Sequence, residues 1–254
     1  MQRLFDNAPL LVLAVSFVGL WLAAMLGVVC QKVWNPIKAG DQNEFNLIQS
    51  AALTLLTLIV AFSFSMAVNR YDQRKNLEEA EANAIGTEYV RAELMPEASA
   101  APAREKLKRY LNQRILFYLN SDQTNLAEIR TDTSKLGDDL WASAKSVAVA
   151  QPTCVSALVA SGMNDVLNSA DYTQAAWLDR IPTMAWVLMI LIGIGCNITL
   201  GFGARRFNSF LLLVLPLAIA VSFFLIADID SPRGGMVKVA PLNLNRLAAS
   251  LNAP

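Results

Sequence analysis

Residues 51–94 read AALTLLTLIVAFSFSMAVNRYDQRKNLEEAEANAIGTEYVRAEL, and the reading of this stretch decides the fold. It begins as an apolar run suited to a bilayer and passes into polar sequence with no Pro or Gly before Gly86. A single helix is therefore expected to leave the membrane and continue into water. At roughly 100° per residue, one face of that helix can be followed through both solvents. Its apolar part carries Leu58, Phe62 and Ser65; beyond Ala67 and Val68 come Asn69, Gln73, Asn76, Ala80, Asn83 and Thr87. Arg70, Arg74, Lys75, Glu78 and Glu88 project elsewhere, with Asp72 and Glu79 on the margins. A freely solvated helix carries charge on its outward faces, so an uncharged polar face needs a cause. Two are open. Either the face packs against other helices of the same subunit with its amides hydrogen-bonded across, or copies of the helix surround an axis. The second arrangement gives a hydrophobic constriction that opens into a wet, polar vestibule.

The rest of the chain is of the same class. Of its 254 residues 54% are hydrophobic and only 17% charged, with a mean hydropathy of +0.38, which places it among membrane proteins. The formal net charge is +0, and no nucleic-acid partner is expected. There is no histidine, which excludes His-based triads, His proton relays and His-containing zinc sites. Cys30, Cys154 and Cys196 are spaced too widely for a CxxC pair or a disulfide framework. Cys30 and Cys196 lie in apolar segments and read as small buried hydrophobes. No G-x-S-x-G elbow, phosphate loop, metal-ligand cluster or pair of intramembrane carboxylates is present, so no catalytic residue, metal or cofactor is expected and the chain does not read as an enzyme. Glu78, Glu79 and Glu81 read as a solvated helix face.

Four spans follow from apolar length. They are Pro9 to Cys30, Asn46 to Val68, Pro182 to Gly203 and Phe207 to Ala227, with a polar connection from Gln31 to Phe45 and a very short turn at Ala204 to Arg206. Gly193, Asn197 and Gly201 fall on one side of the third span, where small residues allow close helix approach and Asn197 could bond to a neighbour. Pro216 marks a kink in the fourth. Between the second and third spans, Asn69 to Ile181 shows helical periodicity and no strand-like alternation, so a helical bundle is expected. Pro96 and EASAAPA read as a turn, followed by amphipathic helices over Arg104 to Leu119, Asn125 to Ala150 (interrupted near Gly137) and Thr153 to Leu178. The expected divisions are 1–68, 69–181, 182–227 and a tail over 228–254. Basic residues near the span ends favour cytoplasmic termini and a cytoplasmic bundle: Arg3, Arg70, Arg74, Lys75, Arg180, Arg233 and Lys238 fall inside, against Lys32, Lys38, Arg205 and Arg206 outside.

The run Phe62-Ser63-Phe64-Ser65-Met66, then Asn69-Arg70-Tyr71 and Arg74-Lys75, is similar to the pore helix of bestrophins, where an F-rich apolar helix ends in Arg-Trp-Trp before a charged segment. More closely, the chain resembles the bestrophin-like family of bacterial membrane proteins. That resemblance rests on Glu81-Ala82-Asn83-Ala84-Ile85-Gly86-Thr87 with Tyr89, Arg91 and Pro96, on Asn164-Asp165 and Asn168 ahead of Arg180-Ile181-Pro182, and on Asp228-Ile229-Asp230-Ser231-Pro232. It implies an all-α integral membrane protein of four transmembrane helices with a cytoplasmic helical bundle between the second and third. It further implies a homo-oligomeric ion channel of the bacterial inner membrane, pentameric in the family, passing small inorganic ions. The neck side chains would be Phe62, about two helical turns ahead of Arg70, then Leu58 and Thr54. Ser65, Asn69, Gln73, Asn76, Asn83 and Thr87 would line the vestibule. Tyr71-Asp72 stands where bestrophins have paired tryptophans, and Arg233 where the family has an aromatic residue. Of the acidic calcium clasp of vertebrate bestrophins only Asp228 and Asp230 have counterparts, and calcium needs about six or more oxygen ligands; DIDSP reads as a turn closing the fourth helix. The competing function is a membrane-anchored scaffold or sensor whose helical domain binds a partner.

Overall fold

The computed structural model describes residues 9–33, 42–204 and 211–252. Eight α-helices occur among them: α1 (Pro9–Val33), α2 (Gln42–Arg91), α3 (Glu97–Leu119), α4 (Gln123–Ala150), α5 (Cys154–Leu178), α6 (Thr183–Gly203), α7 (Leu211–Asp230) and α8 (Leu242–Asn252), with a 3-10 turn at Ala92–Leu94. No strand occurs among the described residues. Four helical stretches are long and apolar enough to cross a membrane. The chain divides into two compact units, Met1–Arg70 with Arg180–Lys238, and Tyr71–Asp179 with Val239–Pro254. The segment after residue 228, expected as one tail, is thus shared between both.

In the first unit α1 lies against α6 and α7. The approach to α6 requires glycine: a Cβ added at Gly201 would lie 1.9 Å from the Ala24 carbonyl oxygen, and one at Gly27 2.0 Å from that of Ile198. The small-residue side expected on the third span is therefore the packed side, and Gly193, Asn197 and Gly201 are all buried. Asn197 does not reach a neighbouring helix as expected; its Nδ2 donates to the Gly193 carbonyl of its own helix at 2.8 Å. A carbonyl four residues back on the same helix is a local acceptor within reach of such a side chain. Cys196 is buried, but Cys30 is exposed, contrary to the reading of both as buried. An apolar residue on a spanning helix has lipid as an alternative solvent, so composition alone does not place it inside.

The second unit has its own core, in which Leu107, Tyr110, Leu111 and Phe117 of α3 meet Leu126 and Leu140 of α4 and Met163 and Val166 of α5. Helix starts follow local chemistry. Asp122 accepts from the Thr124 amide at 3.0 Å to open α4, and Thr153 and Ser156 form a reciprocal capping box at the start of α5. Three expectations are corrected here. EASAAPA is helical, with Pro96 at the N-cap and Pro102 inside α3; the alanines outweigh one lost hydrogen bond near the helix start. α4 runs through Gly137 without a break. The segment expected only as a tail over 228–254 contains α8, whose Leu244 is fully buried.

Candidate functional site

α2 is a helix of 50 residues, and residues of the uncharged face lie exposed along it. In the first unit Thr54, Leu58, Phe62, Ser65 and Asn69 are exposed, Phe62 at 62% and Leu58 at 50%. In the second unit Gln73, Asn76, Ala80, Asn83 and Thr87 are exposed in the same register. Among the described residues these side chains stay exposed, which packing within the chain would not leave them. Asp72, Lys75 and Glu79 are also exposed, flanking it.

The opposite side of α2 holds four buried charges. Arg74, Glu78, Glu81 and Glu88 are each at most 1% exposed, so the reading of Glu78 and Glu81 as a solvated face is overturned; Glu79 alone is exposed. Each buried charge but one has a dense set of partners. Glu81 accepts from Arg114 Nε on Oε1, and on Oε2 from Arg114 Nη2 at 3.4 Å, Tyr118 Oη at 3.2 Å and Thr173 Oγ1 at 3.0 Å. Burial alone would pull the Arg114 guanidinium down, but the adjacent Glu81 carboxylate more than offsets this and holds it above its ordinary value. Burial and then Glu81 push the Tyr118 hydroxyl up, so it remains a donor. Phe117, Tyr118 and Trp177 stack around the pair with ring centroids 5.2 to 5.7 Å apart.

Glu78 accepts the backbone amides of Asn243 and Leu244 at 2.8 and 2.9 Å and the Asn243 side-chain amide at 2.7 Å. A carboxylate from α2 therefore caps the N-terminus of α8, where free N–H groups and the helix dipole favour an anion. Arg74 does the converse at a C-terminus. Its Nε donates to the Ala176 carbonyl and its Nη2 to that of Asp179, both at 3.1 Å, satisfying the last turn of α5. Glu88 is the exception, since neither carboxylate oxygen has a hydrogen-bond partner.

A sequence signal for this stripe existed. Arg74, Glu78, Glu81, Ile85, Glu88 and Ala92 recur at alternating steps of four and three, the period of a buried helical seam. Their charge hid it, because Glu and Arg are rarely buried unless paired. Their donors lie 33, 92 and 165 residues away in the chain, beyond any local pattern.

The remaining family positions are structural in kind. In the first unit Arg70 Nη1 lies 3.7 Å from Asp230 Oδ1, the Ile181 amide donates to Asp230 Oδ2 at 3.3 Å, and Arg180 donates to the Asp230 carbonyl. Asp228 receives the amides of Met236 and Val237 at 2.7 and 3.0 Å, closing the loop after α7 around buried Pro232. Both aspartates lie in the last turn of α7, so the turn begins at Pro232 and not at Asp228 as DIDSP suggested. In the second unit Tyr71 packs against the core, and Gly86 faces Leu247 of α8, whose Cδ1 would be 3.1 Å from an added Cβ. Of the basic residues used for orientation, Arg3, Lys38, Arg205 and Arg206 lie outside the described residues.

A long helix with charges buried on one side and an uncharged face left open, joined to three further apolar helices, is the arrangement to set beside known proteins. A model of the Bestrophin-like domain matches residues 18–244. The chain belongs to the Bestrophin-like family. Among solved structures this Bestrophin-like chain is similar to a bacterial bestrophin homologue from Klebsiella pneumoniae. A structure of that homologue solved by zinc phasing shares 12% identity over 94% of this chain and 95% of the other, with a TM-score of 0.62. A variant of the same homologue shares 10% identity over 94% and 93%, also with a TM-score of 0.62. At these identities the likeness is one of fold. No curated protein matches the chain. The family match and the four apolar helices make this Bestrophin-like chain an all-α membrane protein.

Proposed function

We propose that this chain is an ion channel subunit that assembles as a homo-oligomer, pentameric as in bestrophins, with α2 lining the pore. Thr54, Leu58 and Phe62 form a hydrophobic neck within the bilayer. Ser65, Asn69, Gln73, Asn76, Asn83 and Thr87 form the neutral wall of a vestibule below it. The bundle of residues 69–181 and both termini lie in the cytoplasm of a bacterial cell, with the spans in the inner membrane.

One observation carries this reading: the helix buries Arg74, Glu78, Glu81 and Glu88 on one side and leaves its uncharged face open. Ordinary solvation produces the reverse. Repetition about an axis accounts for it, because copies of α2 would turn the open face toward a shared lumen. A narrow ring of apolar side chains holds water poorly and blocks ions by dewetting, and amides below it let ions regain hydration without binding them tightly.

Vesicle flux at matched protein levels tests the neck. Phe62→Ala should widen and wet the ring and raise basal flux several-fold while leaving assembly unchanged by native mass spectrometry. Phe64, roughly 200° round the helix from Phe62, is the control, and Phe64→Ala should alter stability more than flux. A larger flux change at Phe64 than at Phe62 overturns the pore face. A monomer that conducts nothing leaves the chain as a membrane-anchored scaffold or sensor.

A further inference from the structure

Glu88 differs from every other charge in its stripe. Glu81 and Glu78 are saturated with donors, whereas both oxygens of Glu88 are sealed from solvent and meet none. α5 passes directly over the carboxylate: a Cβ added at Gly162 would lie 1.9 Å from Glu88 Oε2. Glycine is thus what allows α2 and α5 to close on a carboxyl group between them. The charged groups that face it are Arg91 of α2 and Asp165 of α5. Arg91 Nη1 would lie 2.5 Å from the same added Cβ, beside Glu88 but without a hydrogen bond to it. Glu93 of the 3-10 turn is engaged by Arg104 of α3. A neutral carboxyl tolerates such a site far better than an ionised one, which loses its hydration and gains no donor.

We infer that Glu88 is a proton-operated latch between the end of α2 and the start of α5, closed when protonated and drawn open when ionised. Burial pushes its carboxyl up to about 7; Arg91 acts in the opposite sense and Asp165 adds to the rise. Because the value is raised, the closed contact is strongest below the ordinary carboxylate value of 4.5 and is lost as pH rises through about 7. The effect on conduction rests on the channel reading; the latch itself does not.

Amide hydrogen exchange on the full detergent-solubilised chain, corrected for intrinsic rates, reads the latch directly. Peptides from the end of α2 and the start of α5 should lose protection by about tenfold per pH unit between about pH 5 and 7, then level off. Glu88→Gln keeps the shape without the charge and should stay protected throughout. Asp165→Asn removes a like charge and should move the levelling point to lower pH, which keeps the test alive if Glu88→Gln does not fold. Coincident profiles for the wild type and Glu88→Gln, or an unmoved levelling point in Asp165→Asn, overturn the latch. In vesicles, wild-type flux should change over the same pH range and Glu88→Gln flux should not. Exchange that follows pH in a protein that conducts nothing leaves the latch standing and removes the channel reading. Conducting vesicles with coincident exchange profiles remove the latch alone.

Discussion

Replacing Glu81 by Gln tests whether the second unit is built around one carboxylate. The side chain is fully buried and answers four donor contacts from Arg114, Tyr118 and Thr173, which join α2 to α3 and α5. Gln preserves the shape and removes the charge, so Arg114, only 2% exposed, is left as an uncompensated buried cation. Breaking a buried pair by removing one partner costs about 3–5 kcal/mol. At about 2–4 °C per kcal/mol for a chain of this size, the melting temperature should fall by roughly 6–20 °C. Tryptophan emission is a suitable probe, because Trp177 stacks on both Phe117 and Tyr118 beside the pair. The double variant Glu81→Leu with Arg114→Met removes both charges and should recover at least half of the loss, since an apolar pair of similar volume is often as stable as a buried ion pair. A Glu81→Gln protein that melts within about 2 °C of the wild type would refute this account, as would a double variant less stable than either single one.

Gly201→Ala should force α1 and α6 apart by more than about 1 Å and cost about 1–3 kcal/mol, measured as a lower melting temperature. Gly195→Ala is its control, since an added Cβ there meets nothing within 4 Å, and equal melting of the two would refute the close-approach argument. For orientation, in a background with the native cysteines changed to serine, a membrane-impermeant thiol reagent should label Lys38→Cys but not Glu97→Cys in intact spheroplasts; the reverse pattern would invert the proposed topology.

Spans and the uncharged face were legible because both are periodic and local. Twenty apolar residues announce a crossing, and Leu58, Phe62, Asn69 and Gln73 announce a face, without reference to anything distant in the chain. The buried stripe was just as periodic but carried the wrong chemistry for a core. Glu81 is tolerated inside only because Arg114 and Thr173 arrive from α3 and α5, and no residue near Glu81 encodes that meeting. EASAAPA was misread because its proline was given more weight than its alanines. α8 was invisible for a third reason: an 11-residue helix has little stability of its own and forms where Glu78 and the core receive it.

The bond between Glu78 and α8 also sets an order of events during synthesis. Asn243 follows Glu78 by 165 residues, so at roughly 5–20 residues per second a ribosome needs on the order of 10–30 s to deliver it. Through that interval α2 is already made, and Glu78 lacks the Asn243 and Leu244 groups that it accepts from in the folded chain. The second unit therefore cannot close around Glu78 until α8 has been made. Its final shape is sealed by a helix that follows all four apolar stretches in the chain.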